Sequence, residues 1–135
     1  MKVAIIPSWY NSLRAPSRGS FIRVQAEGLS ARGHEILMIV LDRDSDGKLF
    51  DIERTLENGL HCTRISVPAP MHRLFGFYMP KVLSKIVRTE ILKIKPELVH
   101  AHAARPAGVV AQYALNNLDI PYILTEHSGP LKAFW

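Results

Sequence analysis

The sequence predicts an α/β fold in which a doubly wound, mainly parallel sheet lies between layers of helices. Residues 3–7 and 36–41 are apolar throughout and do not alternate with polar residues, which is typical of strands covered on both faces. Helical patterns separate the predicted strands, as in alternating α/β domains. The chain has 135 residues, 47% of them hydrophobic, which suits one domain and excludes two within this chain.

The first unit is strand, helix, strand. A helix follows the strand at residues 3–7, with Ser20 as its predicted N-cap and Gly33 as the left-handed residue after its end. The strand at residues 36–41 comes next. The apolar positions of the helix share one face: Ile22, Ala26 and Leu29.

A polar, turn-like segment at residues 42–48 leads to a third strand at residues 60–67. A short strand near Ile52 is expected to pair with it through the Asn58-Gly59 turn, because this dipeptide favours a two-residue hairpin.

The second half repeats the alternation of helix and strand. A long helix opens at Pro80 and ends before Pro96, since proline disfavours a helical conformation in the preceding residue. A short strand at residues 98–102, a helix at residues 106–118 and an apolar strand at residues 122–124 follow.

The predicted sheet has about five parallel strands in the order 3-2-1-4-5, if the short strand near Ile52 is left out of the numbering. Ligands of such sheets bind outside the carboxyl ends of the strands, where the strand order reverses. That rule selects three segments: residues 8–20, 102–105 and 126–128.

Composition excludes several classes. The 17 Lys and Arg against 12 Asp and Glu give a net charge of +5, typical of a globular domain. The apolar runs are too short to cross a bilayer, and Cys62, the only cysteine, excludes an internal disulfide and is expected to be a small buried hydrophobe. The expected location is the cytoplasm.

Residues 1–130 are predicted to form the domain, and the apolar residues 131–135 to begin a segment that continues in a longer protein.

Histidines mark the predicted ligand edge. His102 ends one strand and His127 follows another by two residues, so both should reach one bound molecule, where imidazole can donate to a hydroxyl or phosphate or carry a proton. The alternative is that each only caps its strand end. His100 is expected to be structural, and His34 to lie at the opposite edge of the sheet.

The segment at residues 8–19 contains neither G-x-G-x-x-G nor G-x-x-x-x-G-K-[ST], so the usual dinucleotide and P-loop fingerprints are absent. Arg18, Gly19 and Ser20 open directly into a helix, whose N-terminal amides can bind a phosphate. An ordinary turn at Gly19 is the alternative.

A basic stripe of Lys81, Lys85 and Arg88 lies beside the apolar and aromatic residues 71–79. This arrangement suits an anionic membrane surface or a lipid-linked acceptor, and a solvated helix face is the alternative. Nucleic acid is not an expected partner.

Several short motifs occur together in order. They are G-S-F-I at 19–22 with Gln25, G-H-E at 33–35, P-E-L-V-H-A-H at 96–102, P-A-G at 106–108 and I-P-Y-I-L-T-E-H-S at 120–128. The set resembles the amino-terminal domain of family 4 glycosyltransferases, of the bacterial type that builds exopolysaccharide, capsule or lipopolysaccharide.

This resemblance implies a GT-B fold of two Rossmann-like halves. The half present here would bind mainly the acceptor, a saccharide or a lipid-linked one, and the missing half mainly the UDP- or GDP-linked sugar. It also implies transfer with retention and no obligatory metal or cofactor. The inner face of the membrane is expected from the basic stripe and not from the resemblance. Because the family's carboxylates and phosphate clamp lie in the other half, the 135-residue chain alone is expected to be inactive.

The resemblance assigns roles to individual residues. His127 would be the catalytic contact to the donor sugar, Gly19 would offer its amide to the donor phosphates, and His102 would line the cleft. Arg18 stands where many members have a second glycine. The remaining expected substrate contacts are Arg18, Ser20, Glu126 and Ser128.

Two other functions remain open at the level of sequence. A sugar-nucleotide epimerase has a related two-half fold and would convert its substrate without an acceptor. A non-catalytic domain would bind a sugar nucleotide without turnover.

Overall fold

The computed structural model describes residues 1–67 and 78–127. The strands in this part of the chain are β1 (Lys2–Pro7), β2 (Glu35–Asp42), β3 (Ile52–Glu57), β4 (Leu60–Ser66), β5 (Leu98–His102) and β6 (Tyr122–Thr125). The helices are α1 (Ser20–Ala31), α2 (Met79–Ile94) and α3 (Val109–Ala114), the last preceded by a wide helical turn at Ala104–Gly108.

The strands form one sheet in the order β3-β4-β2-β1-β5-β6. Every neighbouring pair is parallel except β3 and β4, which are antiparallel. The predicted order of the five parallel strands is therefore confirmed, and so is the hairpin near Ile52. Asn58 and Gly59 both have positive φ, 50° and 79°, as a two-residue hairpin turn of this kind requires.

Helices cover both faces of the sheet. One core joins alternate residues of β1, such as Ala4 and Ile6, to α2 and α3. The other joins Val3 and Ile5 to α1 and contains the buried Cys62, whose expected role as a small hydrophobe is confirmed. This three-layer arrangement confirms the predicted α/β fold. Among the described residues, no helix combines the length and hydrophobicity needed to cross a membrane.

The start of α1 differs from the prediction. The N-cap is Gly19, not Ser20, and the Gly19 carbonyl accepts hydrogen bonds from the amides of Ile22 and Arg23. Gly19 is left-handed, at φ 65°, and a Cβ there would lie 2.7 Å from the carbonyl oxygen of Trp9. Because no side chain fits, glycine takes the capping position. The end of α1 matches the prediction, with Gly33 at φ 87°.

The helix predicted at residues 106–118 is shorter in the structure. It is regular only over Val109–Ala114, and the chain turns left-handed at Asn117. The Arg88 guanidinium donates to the carbonyls of Ala114 and Asn116, at 2.8 and 2.7 Å. Arg88 therefore caps this helix, whereas the other two members of the predicted basic stripe remain exposed.

Some predictions fall outside the described residues. They concern Ser128, the segment at 131–135 and all but the last two positions of the aromatic stretch at 71–79.

Candidate functional site

The segment after β1 is tied to the segment after β2. Ser12 Oγ donates to Asp44 at 2.7 Å, and the Arg18 guanidinium pairs with the same carboxylate at 2.7 Å. Arg14 pairs with Asp46. Arg18, one of the predicted substrate contacts, is thus held by Asp44 at the rim of the cleft. Its role toward a ligand stays a prediction.

Gly19 places the N-terminus of α1 at the carboxyl edge of the sheet. Its amide has no hydrogen-bond partner among residues 1–67 and 78–127. The helix that it opens has 12 residues, long enough for its dipole to favour an anion at this end. Ser20 is the first residue of the helix and partly buried. The local geometry is suitable for the predicted phosphate contact.

The two histidines meet, as predicted. His102 Nδ1 lies 2.8 Å from His127 Nε2, and the rings are parallel, with centroids 5.1 Å apart. His100, one pleat deeper on the same face, has its centroid 4.2 Å from that of His102 and bonds the Thr125 hydroxyl at 2.8 Å. Parallel pairing of β5 with β6 brings these groups to one strand end.

His102 is fully buried, and its surroundings keep it neutral. Burial, together with the charges of His100 and His127, lowers the pKa of His102 to about 4. Its Nε2 is buried without a partner within the described residues. A neutral imidazole can either donate or accept at Nδ1, so His102 fixes the orientation of His127 in either tautomer.

His127 is exposed at the mouth of the cleft. The Phe21 ring meets the His127 ring edge to face, with centroids 4.7 Å apart. The Trp9 ring has a similar orientation, with its centroid 6.4 Å from that of His127. One carboxylate oxygen of Glu126 accepts from the Ala104 amide at 2.8 Å and the other from the His127 amide at 2.9 Å. Glu126 therefore helps to position this turn, and its predicted substrate contact stays a prediction.

Ser8 is a positioning residue that the sequence analysis did not single out. Its hydroxyl accepts from the Ala107 amide at 3.0 Å and donates to the Ala103 carbonyl at 3.4 Å, and its own amide donates to the His102 carbonyl. It joins the loop after β1 to the turn after β5. A serine directly after an apolar strand, in the segment selected as the ligand edge, is the sequence feature that could have identified it.

Two arginines were not singled out from the sequence, although Arg105 lies in the selected segment at residues 102–105. Arg43 follows β2 and Arg105 follows β5, and both line a cavity of about 390 Å³ that includes Ser8 and Trp9. Neither is part of a sequence motif, so only the strand order places them together.

The fold and the strand-end position of this site define a Rossmann-like α/β domain. The model of Glycosyltransferase Family 4 matches residues 19–135. The chain belongs to Glycosyltransferase Family 4, which confirms the resemblance drawn from its motifs.

Relatives extend this assignment. The chain is 25% identical over 147 residues to TuaC of Bacillus subtilis (strain 168), a protein named as a glycosyltransferase of teichuronic acid biosynthesis. The match covers 99% of this chain and 38% of TuaC, so the chain spans about two fifths of that relative.

Solved structures share the fold. Sucrose-phosphate synthase from Thermosynechococcus elongatus superposes with a TM-score of 0.63 at 18% identity, over 95% of this chain and 33% of that one. The catalytic domain of starch synthase IV from Arabidopsis thaliana, bound to ADP and acarbose, gives 0.58 at 13% identity, over 95% and 34%. At these identities the likeness establishes the GT-B half-fold alone.

Proposed function

We propose that this domain forms the acceptor side of a glycosyltransferase that moves a sugar, with retention, from a UDP- or GDP-linked donor to a saccharide or lipid-linked acceptor in cell-surface polysaccharide synthesis. The observation that carries the proposal is the pairing of His102 with His127 at 2.8 Å beside the N-terminus of α1. Family membership and the name of TuaC support it.

The chemistry follows from the geometry. His127 Nε2 is hydrogen-bonded to His102, so His127 Nδ1 is left to bond a hydroxyl of the donor sugar. Negative charge develops on the leaving diphosphate during transfer, and the open amide of Gly19 at the start of α1 would stabilise it. We expect no obligatory metal ion, so chelator should leave transfer unchanged.

The test uses the full-length protein, nucleotide-sugar donors and acceptors from cell-surface polymers. His127→Ala should lower transfer about 100-fold, because it removes one preorganised contact to the reacting sugar. His34→Ala is the matched control, since His34 lies at the opposite edge, where its exposed Nδ1 is 3.4 Å from the chain's amino group. NMR of the product should show the donor's anomeric configuration.

Other outcomes would contradict the proposal. Conversion of the donor without an acceptor would identify an epimerase, and binding without turnover would identify a non-catalytic domain. Equal transfer by His127→Ala and wild type would return His127 to a structural role.

The 135-residue chain alone should transfer no sugar and bind UDP, GDP and their sugars only at roughly millimolar concentration or weaker, because a helix terminus and one or two hydrogen bonds contribute. Calorimetric titration beside a transfer assay checks both statements. Micromolar binding or acceptor-dependent turnover would contradict them.

We further propose peripheral contact with the inner face of the membrane. Lys81 and Lys85 are exposed on α2, and Val82 between them is 40% exposed. Binding to anionic vesicles should exceed binding to neutral ones at low salt. Equal cosedimentation with both would contradict this contact.

A further inference from the structure

A second feature of the carboxyl edge lies on the β1–β2 side of the histidines. The cavity of about 390 Å³ is bounded by the ends of β1 and β2 and by the turn after β5. Its volume lies within the range of small-molecule sites. Three arginines line it: Arg18, Arg43 and Arg105.

The charges around this cavity are not balanced. Arg18 pairs with Asp44, and the other lining carboxylate, Asp42, accepts from Arg64 at 3.2 Å. Arg43 and Arg105 form no ion pair or side-chain hydrogen bond within the described part of the chain. Two exposed guanidinium groups therefore line one cavity without a direct partner among the described residues, although the charge of Asp44 acts on Arg43.

The surroundings of Arg43 point the same way. Burial, followed by the nearby charge of Arg18, lowers the pKa of Arg43 from its ordinary value. Asp44 offsets part of the effect of Arg18, and a bound anion would offset the rest of the repulsion between the two cations.

We propose that Arg43 and Arg105 form a subsite for an oxyanion, a carboxylate or a phosphate ester, carried by the acceptor saccharide. The guanidinium fork matches both groups geometrically. This assignment rests on the proposed function, since it names the chemical class of the acceptor.

Trp9 connects the subsite to the reaction centre. It lines the cavity, and its ring lies 6.4 Å from that of His127. An acidic sugar held by the two arginines would therefore lie next to the histidine that contacts the donor sugar.

The experiment is a titration of this chain, followed by NMR, with four probes: glucuronate, glucose 1-phosphate, glucose and inorganic phosphate. We expect glucuronate or glucose 1-phosphate to bind at least fivefold more tightly than glucose and than inorganic phosphate. Arg43→Gln and Arg105→Gln should each weaken the tighter probe at least fivefold. Arg32→Gln is the matched control, because Arg32 is exposed at the far end of α1, and it should change affinity less than twofold.

Other patterns overturn the subsite. These are equal binding of glucose and the acidic sugars, inorganic phosphate binding as tightly as the acidic sugars, and unchanged affinity in both cavity variants. Thermal unfolding checks that each variant is folded, and Arg43→Lys, which keeps the charge and loses the fork, replaces Arg43→Gln if that variant unfolds. If the binding pattern holds but the full-length protein transfers no sugar to any acceptor, the proposed function fails instead.

Discussion

Two polar clusters flank the same edge of the sheet and are built in opposite ways. In the Arg64 cluster (Arg64, Asp42 and Glu57), the guanidinium donates to Glu57 at 2.7 Å and to Asp42 at 3.2 Å. In the histidine cluster (His100, His102 and His127), the groups are imidazoles, and a buried ring nitrogen of His102 has no partner among the described residues. In the first cluster every charged group has an ion-pair partner, one guanidinium serving two carboxylates, whereas the second leaves bonding capacity unused.

The difference favours a structural role for the first cluster and fits the chemical role proposed for the second. Arg64 also donates to the Asn11 carbonyl at 3.0 Å, so the Arg64 cluster anchors the loop that leads to Gly19. The histidine cluster lies against this anchored segment, with His127 at the surface. Removing a member of the Arg64 cluster should therefore affect stability most, and removing His127 should affect it least.

The largest expected effect comes from Arg64→Leu. Its side chain is only 13% exposed, and its loss leaves two partly buried carboxylates without their partner. We expect the free energy of unfolding to fall by roughly 3–5 kcal/mol, measured by urea denaturation. Arg14→Gln is the control, because the Arg14–Asp46 pair is exposed and should contribute less than about 1 kcal/mol. Equal losses in the two variants would remove the distinction between the clusters.

Gly19→Ala should rank second. The variant forces a left-handed alanine and places its Cβ 2.7 Å from the Trp9 carbonyl oxygen, so we expect a loss of roughly 2–3 kcal/mol in unfolding free energy. Gly28→Ala is the control in the same helix, where a Cβ meets nothing within 4 Å. That change should stabilise the protein by about 0.5–1 kcal/mol. A stable Gly19→Ala would show that the loop is held less tightly than the Arg64 cluster implies.

His102 should make stability depend on pH. Its pKa is lowered to about 4 in the folded protein, so between that value and 6.5 the unfolded chain binds more protons. The free energy of unfolding must then decrease as the pH falls through this window, by about 2 kcal/mol between pH 7 and pH 5. His102→Gln should have a flatter profile when urea denaturation is repeated at each pH.

Glu57 of the Arg64 cluster titrates at lower pH than His102, which keeps the two contributions to stability apart. The hydrogen bonds from Arg64 hold the pKa of Glu57 below its usual 4.5. The stabilisation contributed by ionised Glu57 is complete above pH 4.5 and is lost as the pH falls through the lowered pKa of Glu57. If the stability of the wild type stayed constant down to pH 4.5 and fell only below it, the buried neutral state of His102 would be contradicted.

The sequence predicted the histidine cluster better than the Arg64 cluster. His102 and His127 stand at strand ends, and the strand order alone brings strand ends together. Arg64 lies within β4 and meets Asp42 and Glu57 through the pairing of three strands, which no local pattern encodes. Ser20 was wrongly predicted as the N-cap because the close approach of Trp9 to Gly19 is a tertiary contact.

The smallest expected effect on stability belongs to His127→Ala. His127 is exposed, so the variant loses one hydrogen bond and two aromatic edge contacts but opens no buried cavity. Water can then reach His102 Nδ1 and replace the lost bond, and we expect a loss below about 1 kcal/mol in unfolding free energy. The same opening removes the charge of His127 and part of the burial that lower the pKa of His102. The decrease in stability below pH 6.5 should therefore be shallower than in wild type, which urea denaturation across pH 5–7 measures. A loss as large as that of Arg64→Leu, with an unchanged pH profile, would make His127 a structural residue and the two clusters alike.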